Sequence, residues 1–275
     1  MNIKHIKIAP IIDTQDGLSM IEACVTKKGK RFKGYFYIDT GSSISIIDIN
    51  LALYSGETTA FSALGANENN SYRTIVDFKI GVNSYKMNFH AVKKELLPKE
   101  KGKIVIGILG MDFLKNNLCI IDFKHNALYK CTYKVDPKDS MRIEYDESGI
   151  PTITINGGNG PQPCLIDTGS DPNIMSQAAL ANGNFTFSLT NKIDTLYGLG
   201  YKIKSTSAVV CFFSEEIGDT HFEEEFQIPM EEANAMLNIG KSKNVEIILG
   251  SSFMKRKKWI LDFMNNKIYK NMSTS

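Results

Sequence analysis

Three sequence blocks occur twice in the same order, and this internal repeat constrains the fold more than any other feature of the chain. The paired blocks are YIDTGSSISII at 37–47 with LIDTGSDPNIM at 165–175, ILGMDFLK at 108–115 with IILGSSFMK at 247–255, and LCIIDFKHNALYK at 118–130 with KWILDFMNNKIYK at 258–270. Because both halves repeat one order, we expect two pseudo-symmetric copies of a single fold.

The spacing between the blocks differs between the two copies. Gly110 follows Asp39 by 71 residues, whereas Gly250 follows Asp167 by 83 residues. The second copy therefore carries twelve extra residues, and we expect them in the segment 218–244.

Short runs rich in Ile, Val, Phe, Tyr and Thr alternate with clusters of Gly, Asn, Asp and Ser, which is typical of β-strands and turns. Short helices are expected directly after Gly110 and Gly250. The polar segment 134–140 contains a proline and falls where the first copy ends, as a linker would. The sequence predicts a mainly β protein with an N-terminal lobe at 1–135 and a C-terminal lobe at 136–275.

The charge and the hydropathy of the chain exclude several classes of protein. The 275 residues include 32 Lys and Arg against 30 Asp and Glu, a net charge of +2, so no global field favours nucleic acid or an anionic membrane. No stretch approaches the roughly 18 apolar residues of a membrane span. We therefore expect neither a nucleic-acid partner nor a membrane partner.

The cysteines and histidines follow no metal or disulfide pattern. The five cysteines include no CxxC pair, and the four histidines stand far apart in the sequence. Residues 1–17 alternate apolar and polar side chains and reach an acid before an apolar stretch of signal-peptide length develops. These features predict free thiols, no metal ion and a cytoplasmic location, unless a removed leader directed the protein to the periplasm or outside the cell.

An Asp-Thr-Gly-Ser tetrad in each copy carries a resemblance to a known family. Asp39 and Asp167 each open such a tetrad after an apolar run, and an Ile-Leu-Gly block follows each one. The chain resembles the aspartic proteases, specifically the retropepsin-like family. The resemblance implies two β-barrel-like lobes of the retropepsin or pepsin type with a cleft between them, and an aspartic endopeptidase without a cofactor. Because both copies lie on one chain, we expect a monomer whose partner is a peptide or protein substrate.

The residue types of the tetrad fit this chemistry for physical reasons of their own. Glycine lets each turn approach its symmetry mate, and threonine offers a hydroxyl that can bond across to the other turn. Two aspartates in contact cannot both stay ionised, so they share one proton. A water between Asp39 and Asp167 would lose a proton to the ionised carboxylate while attacking the scissile carbonyl, and the protonated partner would stabilise the oxyanion.

Six residues are expected to support this catalytic pair, which we call the dyad. They are Thr40, Gly41, Ser42, Thr168, Gly169 and Ser170. We expect the hydroxyls of Ser42 and Ser170 to hydrogen-bond the outer carboxylate oxygens, which would lower the pKa of the carboxylates and give a mildly acidic optimum. Gly110 and Gly250 are expected to pack against the aspartate turns as structural supports.

The family resemblance also implies flaps, which are β-hairpins that close over a bound peptide. Their expected positions fall between the Asp-Thr-Gly and Ile-Leu-Gly blocks of each copy. The residues assigned to them are Leu64, Gly65, Tyr197, Gly198, Leu199 and Gly200, with Tyr197 contacting the peptide.

Other functions compete for the same residues. A catalytically silent peptide-binding module would keep the cleft and flaps but usually lose an acid or a glycine, and neither is lost here. An inverting sugar hydrolase needs its two carboxylates far enough apart to admit a water, whereas symmetric turns converge. Asp122 and Asp262 also repeat, but each stands at a strand end before a polar turn, so we interpret them as structural.

Overall fold

The computed structural model describes residues 6–52, 58–61, 69–130, 140–183, 185–198, 201–214, 220–230 and 246–269. Its N-terminal lobe is built mainly of short strands. They are β1 (Ile6–Pro10), β2 (Ile12–Asp13), β3 (Ser19–Lys27), β4 (Lys30–Ile38), β5 (Ile46–Asp48), β6 (Thr58–Phe61), β7 (Asn69–Ile80), β8 (Asn83–Val92), β9 (Val105–Leu109), β10 (Cys119–Asp122) and β11 (Ala127–Lys130).

The C-terminal lobe repeats this succession of strands. They are β12 (Ser140–Arg142), β13 (Glu144–Tyr145), β14 (Pro151–Gly157), β15 (Gly160–Asp167), β16 (Asn173–Met175), β17 (Thr186–Gly198), β18 (Tyr201–Ser214), β19 (Thr220–Pro229), β20 (Ile247–Gly250), β21 (Ile260–Asp262) and β22 (Lys267–Tyr269). The helices are α1 (Met111–Asn116), α2 (Gln177–Asn182) and α3 (Ser251–Arg256), with 3-10 turns at Ile49–Leu51 and Lys94–Leu96.

Each lobe contains an eight-stranded sheet, and the two sheets have the same topology. The strand order is β2-β3-β4-β9-β5-β8-β7-β6 in the N-terminal lobe and β13-β14-β15-β20-β16-β19-β18-β17 in the C-terminal lobe. An additional pairing, of β3 with β7 and of β14 with β18, folds each sheet back on itself. The predicted mainly β fold with two pseudo-symmetric lobes is confirmed.

A third sheet joins the lobes. Its order is β1-β11-β10-β21-β22-β12, so three strands come from each lobe. β10 pairs antiparallel with its own counterpart β21, and Ile121 faces the equivalent Leu261 at the centre of the pairing. The third repeated block therefore connects the lobes around the approximate twofold axis. The expected boundary between 1–135 and 136–275 lies outside the described residues and stays a prediction.

Equivalent phenylalanines fill the cores of the two lobes. The rings are Phe78, Phe89 and Phe113 in the N-terminal lobe and Phe212, Phe226 and Phe253 in the C-terminal lobe. The centroid of the first ring of each set lies 5.5 and 5.8 Å from the other two in the N-terminal lobe, and 6.1 and 6.5 Å in the C-terminal lobe. Burial of each side chain contributes about 1.5–3 kcal/mol, so the repeated core stabilises the same fold twice.

The extra length of the C-terminal lobe is distributed over more than one connection. By strand register, Ser207 of β18 is equivalent to Arg73 of β7. Arg73 follows Ile46 by 27 residues, whereas Ser207 follows the equivalent Ile174 by 33, so six of the twelve extra residues precede Ser207. The prediction of one insertion at 218–244 is therefore wrong, because half of the extra length lies before this point of the β17–β18 hairpin.

The helices expected after the Ile-Leu-Gly blocks are α1 and α3. Each of the three helices has six residues, and no helix of the described ranges is long and apolar enough to cross a membrane. After the helix, Asp122 and Asp262 each accept hydrogen bonds from two backbone N–H groups of the following turn at 2.9–3.0 Å. Both acids are therefore turn caps, in agreement with their structural interpretation.

Candidate active site

Two equivalent strands carry the aspartates to the boundary between the lobes. β4 ends at Ile38, directly before Asp39, and β15 ends at Asp167. The last residues of both strands are buried, because each strand runs inside its sheet in parallel with β9 or β20. The Asp39 N–H donates to the Leu109 carbonyl at 3.0 Å, which fixes the start of the first turn.

The two threonines tie the aspartate turns together with four hydrogen bonds. The Thr40 hydroxyl donates to the Ile166 carbonyl at 2.7 Å and accepts from the Thr168 N–H at 3.0 Å. The Thr168 hydroxyl donates to the Ile38 carbonyl at 2.8 Å and accepts from the Thr40 N–H at 3.0 Å. Because both threonines are fully buried, these bonds hold the two turns as one unit across the lobe boundary.

The glycine of each turn lies against the opposite aspartate. A Cβ atom added at Gly41 would overlap the Asp167 carboxylate, and one added at Gly169 would overlap the Asp39 carboxylate. Any larger residue would push the carboxyl groups away, so the close approach of the turns requires glycine. The structure thus brings Asp39 and Asp167 face to face.

The two carboxyl groups are joined by a hydrogen bond in a largely buried setting. Asp167 is 9% exposed, and Asp39 is partly buried. Burial, the negative charge of Asp167 and the bond between the carboxyl groups raise the pKa of Asp39 well above its ordinary value. Burial also raises the pKa of Asp167, while hydrogen bonds from the Gly169 N–H at 2.8 Å and from Asp39 act to lower it. The pair therefore shares one proton and titrates as a unit.

The serine hydroxyls do not face the carboxylates, and that expectation is wrong. The Ser42 hydroxyl donates to the Ile44 carbonyl at 2.7 Å, and the Ser170 hydroxyl donates to the Pro172 carbonyl at 2.9 Å. A hydroxyl has one proton to donate, and a carbonyl two residues ahead accepts it in each turn. The backbone N–H of each serine instead donates to the aspartate of its own turn. Both serines therefore support the dyad through the backbone.

Two polar side chains that sequence reasoning missed hold the Ile-Leu-Gly strands against the turns. The Ser45 hydroxyl accepts from the Gly110 N–H at 3.0 Å, and the Asn173 side-chain oxygen accepts from the Gly250 N–H at 2.9 Å. Each stands six residues after its aspartate, next to an apolar stretch. This repeated polar position is the signal that would have identified them.

The C-terminal flap assignment falls on a long β-hairpin. Tyr197 and Gly198 end β17, and Gly198 pairs with Tyr201 of β18. In the N-terminal lobe, β6 and β7 form the equivalent antiparallel pair. Four assigned residues lie outside the described part of the chain: Leu64, Gly65, Leu199 and Gly200. The contact of the flaps with substrate stays a prediction.

The chemistry that this arrangement offers is that of one acid and one base. Within the described ranges, no three His, Cys, Asp or Glu side chains come together as metal ligands. A carboxylate next to a protonated carboxyl can remove a proton on one side of a substrate and supply one on the other.

Comparisons with known proteins concern the fold and not the activity. No family model matches the chain, and no curated protein matches it. Among solved structures, basic 7S globulin from soybean is similar over 97% of this chain and 94% of its own length, with 9% sequence identity and a TM-score of 0.54. At this identity the likeness shows the fold alone. The chain has the two-lobed, mainly β fold of the retropepsin and pepsin type.

Proposed function

We propose that the protein is an aspartic endopeptidase of the retropepsin-like type that hydrolyses peptide bonds with a water activated by Asp39 and Asp167. The observation that carries the proposal is the pair of facing, hydrogen-bonded carboxyl groups on two equivalent turns. The cross-bonds of Thr40 and Thr168 hold these groups in place before any substrate binds. Such preorganisation lowers the cost of reaching the transition state.

The reaction follows from the protonation state of the dyad. The ionised carboxylate accepts a proton from a water as that water attacks the scissile carbonyl carbon. The protonated carboxyl donates a hydrogen bond to the carbonyl oxygen, on which negative charge develops. Collapse of the tetrahedral intermediate breaks the C–N bond, and the dyad returns the proton to the leaving amine. Because the two acids titrate together, these roles belong to the pair.

Equivalent apolar clusters on either side of the dyad support an extended peptide with apolar side chains as the substrate. Side chains alternate along a strand, so Tyr37 and Leu165, each two residues before an aspartate, project from the same face as the dyad. Tyr37 packs with Ile46 and Ile108, and Leu165 packs with the equivalent Ile248. Peptide strands that add to the flap hairpins would direct alternate side chains towards these clusters.

A catalytically silent peptide-binding protein is the second candidate function. The observation in its favour is that the similar solved structure is a globulin and is not named for a catalytic activity. Against it stands the retention of both aspartates, both threonines and both glycines, since a binding module needs the cleft but not the shared proton.

Cleavage of a proteome-derived peptide library over an acidic to neutral pH series tests the proposal. The wild-type protein should cleave at defined sites, and Asp39→Asn and Asp167→Asn should each reduce the rate by roughly 10²- to 10⁴-fold, because each removes the acid–base pair. Undiminished cleavage by either variant would refute the assignment of the dyad. Binding of a statine peptide such as pepstatin without cleavage at any pH would favour the silent module.

A further inference from the structure

Two lysines in equivalent positions contact the opposite lobe. Lys115 lies in α1 and Lys255 in α3, each five residues after the glycine of its Ile-Leu-Gly block. The Lys255 Nζ lies 2.7 Å from an Asp13 carboxylate oxygen, and the Lys115 Nζ lies 3.6 Å from the centroid of the Tyr145 ring. Asp13 and Tyr145 end the equivalent strands β2 and β13. The two contacts therefore repeat one cross-lobe geometry with different chemistry.

The Lys255 contact is the more extensive of the two. Its ammonium group also donates to the carbonyls of Gly17 and Leu18, the latter at 3.3 Å, and its side chain is only 19% exposed. An ammonium has three protons to donate, and the β2–β3 turn supplies three acceptors. The same turn touches the loop that carries Asp167, because a Cβ at Gly17 would overlap the Asp171 carboxylate.

Each lysine lies on a helix that is bonded to the catalytic turn of its own lobe. The first N–H of α3 donates to the Ser170 carbonyl at 2.7 Å, and the first N–H of α1 donates to the Ser42 carbonyl at 2.8 Å. On the other side of each contact, β2 leads through β3 and β4 to Asp39, and β13 leads through β14 and β15 to Asp167. Each lysine therefore closes a path of packed elements that runs from one aspartate to the other.

We propose that Lys115 and Lys255 are positioning residues that hold the two aspartates in register across the lobe boundary. The inference rests on the proposed function and extends it to residues outside the dyad. Without the lysine contacts, the lobes are held near the dyad by the threonine bonds and farther away by the shared sheet. A displacement of about 1 Å at a catalytic group costs on the order of 100-fold in rate, so a partial displacement has a measurable effect.

The test compares Lys115→Met, Lys255→Met and the double variant with the wild-type protein on one cleaved peptide. Methionine keeps the apolar stem and removes the charge. Lys257→Met is the matched control, because Lys257 directly follows α3 but pairs with Glu224 of its own lobe at 3.0 Å. We expect Lys255→Met to lower kcat about 10-fold with little change in KM, Lys115→Met to lower it less, and the double variant to lower it most. Lys255→Arg should restore most of the rate.

The pH profile separates positioning from general destabilisation. When two carboxyl groups move apart, their mutual repulsion weakens and the two pKa values of the pair approach each other. The acidic and basic limbs of the kcat profile should therefore move closer in Lys255→Met, whereas the control should keep the wild-type limbs. A wild-type kcat and profile in Lys255→Met, or an equal loss in the Lys257 control, would overturn the proposal.

The two proposals can fail separately. If the wild-type protein cleaves no peptide, the proposed function fails, and the titration of ¹³C-labelled aspartate carboxyls by NMR still measures the dyad. A smaller difference between the pKa values of Asp39 and Asp167 in Lys255→Met would support positioning by the lysine. An unchanged difference would refute it.

Discussion

Replacement of Thr40 by Val isolates the hydrogen bonds that cross the lobe boundary at the dyad. Valine has nearly the shape of threonine but neither donates nor accepts a hydrogen bond. The variant loses the bond to the Ile166 carbonyl at 2.7 Å and the bond from the Thr168 N–H at 3.0 Å. Both former partners belong to fully buried residues, so both would remain buried and unpaired.

The expected loss of stability is large. A buried polar group left without a partner costs about 1–3 kcal/mol, so two such groups predict a loss of about 2–6 kcal/mol. A folded protein of ordinary stability has only about 5–15 kcal/mol in total. Thr168→Val removes the equivalent pair of bonds, to the Ile38 carbonyl and from the Thr40 N–H, and should lose a similar amount.

Urea unfolding followed by tryptophan fluorescence measures this loss, since the chain has one tryptophan, Trp259, and it is buried in the C-terminal lobe. Thr40→Ser is the matched control, because it keeps the hydroxyl and loses one methyl group, worth about 1 kcal/mol. If Thr40→Val unfolds at the same urea concentration as Thr40→Ser, the reasoning that these bonds hold the turns together is refuted.

Two further predictions follow from the dyad. Gly41→Ala and Gly169→Ala should each abolish peptide cleavage without loss of the β-rich circular dichroism spectrum, because the new Cβ displaces the opposite carboxylate; a folded variant with wild-type kcat would contradict this. Because the pKa of Asp39 is raised in the folded state, the folded protein binds more protons than the unfolded chain, so the stability from this group is present below the ordinary aspartate pKa and is lost as pH rises through the raised value. Asp39→Asn should therefore be more stable than the wild-type protein at neutral pH and show a smaller decline between acidic and neutral pH in urea unfolding; parallel declines in the two proteins would rule out this origin.

The parts of the fold that repeat in the sequence were predictable, because each repeated residue meets the same physical requirement twice. The apolar runs before Asp39 and Asp167 form buried strands in both lobes. The segments after Gly110 and Gly250 form helices of equal length. The meeting of the aspartates also followed from the pattern, since glycine beside an acid permits a close approach that other residues prevent.

Features that depend on long-range pairing were not predictable from the pattern. The blocks that contain β10 and β21 repeat clearly, but their pairing with each other becomes visible only when the lobes are placed together. The hydroxyls of Ser42 and Ser170 were expected to bond the carboxylates, and local carbonyls two residues ahead accept their protons instead. The cross-lobe contacts of Lys115 and Lys255 likewise join positions more than 100 residues apart in sequence.

The most direct measurement is the NMR titration of the two aspartate carboxyls in the folded wild-type protein. The account predicts two separate pKa values, with that of Asp39 well above the ordinary aspartate range, and a fall in the Asp39 value when Asp167 is replaced by Asn. Two carboxyls that both titrate near the ordinary value of about 4, each indifferent to replacement of the other, would contradict it.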